Sequence, residues 1–207
     1  MRHLKMLGLA AIAATALMAF LGAGTASATV ICKNNLNTTT CSEKYPVGTE
    51  GTASLAAGTS MILETTGGST LDTCTGSTVK SSIKEAGSAT TTVTSNLSSI
   101  TFANCTFPTT TVSPGSAVLH HIAGTDNGTL TTLNTEVTIN TGFFGACTYG
   151  MGSATDLGTT VGGNPGSITI NSLVPLVKNE SGLCPAEARL TAKYVATSPT
   201  NAWVAAG

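Results

Sequence analysis

A chain of 207 residues with a formal net charge of −1 and only 9% charged residues has the length of one domain and lacks the basic surplus that nucleic-acid binding requires. Threonine is its commonest residue, 41% of it is hydrophobic and its mean hydropathy is +0.26, which excludes disorder, a state of low hydrophobicity and high charge. With so few charges, solubility rests on hydroxyls.

The chain opens MRHLKMLGLAAIAATALMAFLGAGTASATV, in which Arg2 and Lys5 precede an uncharged apolar run from Met6 to Leu21 and a small-residue exit at Ala26, Ser27 and Ala28. That order predicts a secretory signal peptide over residues 1–28, cleaved after Ala28. An uncleaved anchor is the rival, since the run is nearly long enough to span a bilayer, and the A-x-A exit argues against it. Cleavage leaves residues 29–207, 179 in number (207 − 28), with seven Lys and Arg against ten Asp and Glu, a net of −3 (7 − 10). The basic residues are scattered, so no stripe exists to neutralise phosphates and no nucleic-acid partner is expected. No later segment has the long apolar run of a membrane span. The expectation is a secreted, extracellular protein with a single domain over 29–207.

All six cysteines, Cys32, Cys41, Cys74, Cys105, Cys147 and Cys184, follow the signal peptide. An even count in an exported chain predicts three disulfides, and no CxxC pair supplies the usual zinc or redox spacing. Six cysteines permit fifteen connectivities, of which the sequential one is preferred: Cys32 with Cys41, Cys74 with Cys105, Cys147 with Cys184.

Residues 29–70, including TSMILET, read as an N-terminal edge hairpin stapled by Cys32 and Cys41. In SSITFANC, Ile100 and Phe102 share one face. SAVLHHIAG and TLTTLNTEVTIN flank Asn127 and Gly128, a pair that predicts a tight hairpin with positive φ at the turn. Within TEVTIN, Val137 and Ile139 alternate with polar residues, as do Ile168 and Ile170 in SITIN. The clearest strand is EARLTAKYV, where Ala188, Leu190, Ala192 and Tyr194 alternate with Glu187, Arg189, Thr191 and Lys193, apolar on one face and wet on the other. No helical periodicity of convincing length follows the signal peptide. Gly67 with Gly68, Pro114 with Gly115, and GGNPG at 162–166 punctuate these runs with turn chemistry. Short strands between such turns imply a sandwich or barrel, and the expected fold is an all-β, disulfide-stabilised antiparallel β-sandwich, immunoglobulin-like or jelly-roll-like.

Candidate chemistry centres on His120 and His121, the only histidines after the signal peptide. Adjacent strand residues point to opposite faces, so the two imidazoles cannot share a metal ion; no metal site and no cofactor are expected. Either histidine could act as a base oriented by Asp126, but no GxSxG elbow singles out a nucleophile, and Asp126 in TDNG reads equally as a turn former. A glycosidase pair could be drawn from Glu43, Glu50, Glu64, Asp72, Glu85, Asp126, Glu136, Asp156, Glu180 and Glu187, but most read as members of solvated faces. Tyr149, Trp203 and the Phe143 and Phe144 pair are the aromatic residues placed where exposure would make a contact surface.

TCTGST around Cys74, SSITFANC at Cys105, GACTYG at Cys147 and LCPAEARLTAKYV from Cys184 together resemble a group of uncharacterised secreted, threonine-rich, cysteine-containing β proteins of high-GC Gram-positive soil bacteria. The likeness runs from about Leu71 to Val204. It implies export and a β fold, and carries no functional residue onto this chain. The expected function is therefore non-catalytic: a binding or structural protein outside the cell or at its surface, with a polysaccharide, protein or other cell-surface ligand. An extracellular hydrolase using His120 or His121 with Asp126, or a carboxylate pair, is the alternative. A third reading is a subunit that adds its edge strand to a neighbour.

Overall fold

The computed structural model describes residues 28–34, 41–142, 145–151, 155–180 and 182–207; the expected signal peptide up to residue 27 lies outside them, as do Phe143 and Phe144. The described residues contain no helix and form fourteen strands: β1 (Val30–Cys32), β2 (Glu50–Leu55), β3 (Met61–Thr65), β4 (Thr70–Ala86), β5 (Val93–Cys105), β6 (Thr109–Ser113), β7 (Ser116–His121), β8 (Gly128–Leu133), β9 (Thr135–Asn140), β10 (Ala146–Met151), β11 (Thr155–Val161), β12 (Ser167–Asn179), β13 (Glu187–Ser198) and β14 (Trp203–Ala205).

The all-β, antiparallel, disulfide-bonded character matches the sequence, but the architecture is a closed barrel and not a sandwich. Four of its eight staves are single long strands, β4, β5, β12 and β13. The others are each built from two consecutive strands: β2 with β3, β6 with β7, β8 with β9, and β10 with β11. Thus β2 and β3 both pair with β4 on one side and β13 on the other. Next to β5, which pairs with β4 and β7, the staves follow in chain order through β6/β7, β8/β9 and β10/β11 to β12 and β13. Every stave neighbours the one before it in sequence, and the last returns to the first. A sandwich would leave two sheets with edges; here the staves close through the pairing of β13 with β2 and β3, while β6 pairs with β9 alone and keeps its other side unpaired among the described strands.

Some turn signals bend the chain without reversing it. Gly115 has φ 71° and separates β6 from β7 on one stave. A Cβ on Gly115 would collide with the Leu133 carbonyl oxygen and the backbone of Asn134 and Thr135, where Asn134, at φ 56°, separates β8 from β9 on the next stave. Two kinks therefore lie against each other, and only glycine allows the backbones so close. Between β7 and β8 the reversal occupies residues 122–127, wider than the expected two-residue turn. Its positive φ falls on Gly124, at 75°, while Gly128 begins β8.

Along β13, Ala188, Leu190, Ala192 and Tyr194 turn inward, while Glu187, Arg189, Thr191 and Lys193 are exposed outside. The main core gathers Met61, Leu63, Leu71, Ile139, Tyr149, Ile170 and Val174 around the cystines. At the other end, Tyr45, Ile83, Val93, Leu119 and Val204 form a second cluster under a cap. That cap pairs β1 with β14 antiparallel and is tied by Tyr45 Oη donating to the Asn201 carbonyl at 2.8 Å and Asn201 Nδ2 donating to the Lys33 carbonyl at 2.6 Å. Residues 29–70 thus supply β1 to the cap and β2 and β3 to the barrel wall. The cystines are Cys32–Cys41 in the cap, Cys74–Cys105 across a β4–β5 rung, and Cys147–Cys184 between β10 and the segment before β13.

Candidate functional site

An eight-stranded barrel has an interior just wide enough for side chains to fill or for one small ligand to occupy. Which of these happens depends on side-chain size. In this chain Gly51, Ala53, Ser81, Ser95, Ala117 and Ala196 all face the interior. Such small residues leave the middle of the barrel unfilled, as a cavity of about 330 Å³. Larger apolar side chains, among them Met61, Phe102, Ile139, Ile170 and Leu190, complete its surface. The volume lies near the lower end of the range for small-molecule pockets, about 300–1,000 Å³. The cap closes over one end, contributing Ile31, Tyr45 and Ala202 to the lining.

The cavity is nearly free of charge. Glu50 is the one charged residue among its described lining residues, and it is exposed at the start of β2. Inside, Tyr194 is hydrogen-bonded to Ser77 Oγ at 2.9 Å. Burial raises the Tyr194 pKa, with the Ser77 bond pulling the other way. Tyr149 donates to the Pro185 carbonyl at 3.2 Å, and burial pushes its phenol up to about 12. Both phenols are therefore neutral across the physiological range. Thr132 on β8 lines the same space at 3% exposure, and its Oγ1 is the one buried side-chain polar atom among the described residues without a hydrogen-bond partner.

The residues singled out in the sequence lie elsewhere. Ala117 and Leu119 line the cavity from β7, so alternation puts His120 on the opposite face from them. The His121 ring is engaged at its Nε2 with the Thr125 carbonyl at 2.7 Å, and its backbone N–H donates to Thr29 Oγ1 at 2.9 Å. Asp126 uses its carbonyl to accept from the Val204 N–H at 3.1 Å; no described hydrogen bond joins it to either histidine. The constellation of histidine, aspartate and nucleophile is thus not assembled at this hairpin. Among the described residues Glu50 is the one carboxylate in the cavity lining, so no pair gathers there.

Asp72 departs from the solvated-face reading: it is 1% exposed and accepts hydrogen bonds from the N–H groups of Thr73 and Phe107, at 2.8 and 3.1 Å, and from Thr109 Oγ1. It stands beside Cys74 and Cys105 in the only metal-sized grouping of His, Cys, Asp or Glu atoms among the described residues. Both sulfurs are committed to a disulfide, which leaves no thiolate to ligate an ion. The role of Asp72 is to pin the 106–109 turn to β4. Tyr149, expected at an exposed turn, is instead a buried residue of β10, and Trp203 is half-buried against the cap.

Sequence reasoning missed Thr132 and the cavity itself. The string TLTTLN marks no hydroxyl as inward, and small residues on an inward face look like weak strand signal. Among the described residues, no helix is long and apolar enough to cross a membrane. No family model, no curated protein and no solved structure matches this chain.

Proposed function

We propose that the protein is an exported, non-catalytic binding protein that holds a small apolar molecule inside its barrel. The observation that carries this reading is the nearly uncharged cavity of about 330 Å³ inside the barrel. Dividing the cavity's volume of about 330 Å³ by the roughly 30 Å³ that one water occupies in the liquid gives a ligand of about 11 non-hydrogen atoms. Its transfer from water into the cavity supplies the driving force, at roughly 25 cal/mol per Å² of apolar surface removed from solvent. The exposed charges outside β13 support a protein surrounded by water; a membrane barrel presents an apolar band there. Three disulfides support residence in an oxidising compartment, as does the amino-terminal pattern of charge, apolar run and small-residue exit.

The test is titration with a neutral apolar dye of that size, such as 1-naphthylamine, whose emission responds to apolar surroundings. Saturable binding of one dye per chain is expected, together with competition by medium-chain aliphatic compounds. Absence of saturable binding, or binding that survives a bulky Ala117→Phe substitution in the cavity lining in a protein that remains folded, overturns the proposal.

A further inference from the structure

A molecule held inside a barrel needs a way in, and the strand pairing shows where the wall is weakest. We infer that the ligand enters and leaves through a slit between β5 and β6, latched by the hydroxyl of Thr111. This inference rests on the proposed binding function and adds its route of exchange.

The slit follows from the register. Residues 93–96 of β5 pair with β7 on one side, but from Leu97 onward β5 pairs with β4 alone. Facing that stretch, β6 pairs only with β9. Two strand edges therefore lie side by side without a backbone ladder, whereas every other seam between neighbouring staves has one. The ends of the slit are fastened. At one, the Leu97 N–H donates to the Gly115 carbonyl at 3.1 Å; at the other, the Phe107 N–H and Thr109 Oγ1 donate to Asp72. Between them, Thr111 Oγ1 donates to the Ile100 carbonyl at 2.6 Å, the one side-chain hydrogen bond described across the middle. The five residues of β6, at about 3.3 Å each, make the slit roughly 17 Å long.

Behind it lies the cavity. Leu97, Ile100 and Phe102 line that space from β5, and Val137 and Ile139 from β9, while β6 between them supplies no lining residue. Thr111 thus holds the gap shut without facing what the cavity holds. Parting a laddered seam breaks a run of backbone hydrogen bonds, and each lowers the open population several-fold; parting this one breaks a single side-chain bond. The competing route is the cap, which is held by the β1–β14 pairing, the Cys32–Cys41 cystine and the two bonds of Asn201. When exchange passes through a gap that opens briefly, association and dissociation both scale with the open fraction, so a weaker latch speeds both and leaves affinity alone.

The experiment is stopped-flow binding and release of 1-naphthylamine. Thr111→Val should raise both rate constants about fivefold, the effect of one hydrogen bond on the open fraction, with Kd within about twofold of the wild type. Thr111→Ser, which keeps the hydroxyl, should restore the wild-type rates, and Asn201→Ala, which frees the cap, should leave both rates unchanged. A second arm closes the slit. Thr101 and Thr110 are exposed beside Ile100 and Thr111, and the chain has no free thiol, so Thr101→Cys combined with Thr110→Cys can be bridged by a short bis-maleimide. Bridged protein should exchange dye at least about tenfold more slowly than the same variant with each thiol capped separately. Folded Thr111→Val with wild-type rates overturns the inference, as does bridged protein that exchanges as fast as capped protein. Acceleration of both rates by Asn201→Ala also overturns it and makes the cap the entrance. If the wild type binds no dye, the binding function itself fails; if it binds dye and its exchange ignores the slit, only the route fails.

Discussion

Replacing Thr132 by valine should stabilise the protein, although most core substitutions do the reverse. The hydroxyl oxygen is 3% exposed at the residue level and has no hydrogen-bond partner among the described residues. A buried unsatisfied group of this kind costs about 1–3 kcal/mol. Valine occupies nearly the same volume, keeps the β-branched shape that suits a strand and exchanges the buried oxygen for a methyl. Stability should therefore rise by about 1–3 kcal/mol. For a chain of this size each 1 kcal/mol moves the thermal midpoint by about 2–4 °C, giving an upward shift of roughly 2–12 °C in ligand-free protein. Thr131→Val is the internal control, because that hydroxyl is just as buried but donates to the Val118 carbonyl; it should be neutral or lose up to about 1 kcal/mol. Equilibrium guanidinium unfolding with both variants, analysed at unchanged m, reads the difference. A Thr132→Val protein no more stable than Thr131→Val would refute the reasoning.

Three further outcomes follow from other features of the fold. Asp72→Ala removes the acceptor of the Phe107 and Thr109 bonds and should lower stability by about 3 kcal/mol, measured by chemical unfolding; a loss under about 1 kcal/mol would show that the turn does not depend on it. Replacing Cys147 and Cys184 together by alanine opens a cross-link of sequence separation 37 and should cost about 4 kcal/mol, against about 2.5 for the Cys32–Cys41 pair at separation 9; unfolding midpoints that reverse this order would count against the loop-closure account. Tyr149 stays protonated in the fold until about pH 12, while its unfolded counterpart ionises near 10. Its contribution is therefore complete below pH 10 and disappears as pH climbs towards 12. Tyr149→Phe should flatten that alkaline decline in melting temperature, and an unchanged slope would contradict it.

How far the sequence could be read depended on what each inward position carries. EARLTAKYV, TEVTIN and SITIN announce themselves because apolar inward residues alternate with polar ones without a break, and all three lie in strands. Much of β4 is silent because Ser77, Val79, Ser81 and Ile83 alternate two serines with two aliphatics, so a strand of 17 residues carries little apolar period. Ser81 is small enough to help leave the cavity open, which made the barrel interior the least conspicuous part of the pattern. The barrel was read as a sandwich for a related reason: Pro114 with Gly115 looks like a reversal but only bends one stave. Closure between β13 and β2 or β3 links residues more than a hundred positions apart, and no local period encodes it. His120 and His121 attracted notice by rarity, whereas Thr132, one of many threonines, could be found only through its placement.

The meander has a consequence for how the chain acquires its shape. Each stave finds its partner in the segment just synthesised, so seven of the eight seams are hairpin-like and need only modest loop closure. The eighth, together with the pairing of β1 and β14, must wait for residues beyond 187. Nascent chains halted before β13 should therefore hold local hairpin protection in hydrogen exchange, including β2 and β3 where they pair with β4, while lacking it at the N–H groups of β2 and β3 that bond β13, and the last twenty or so residues act as the latch that turns an open ribbon into a vessel.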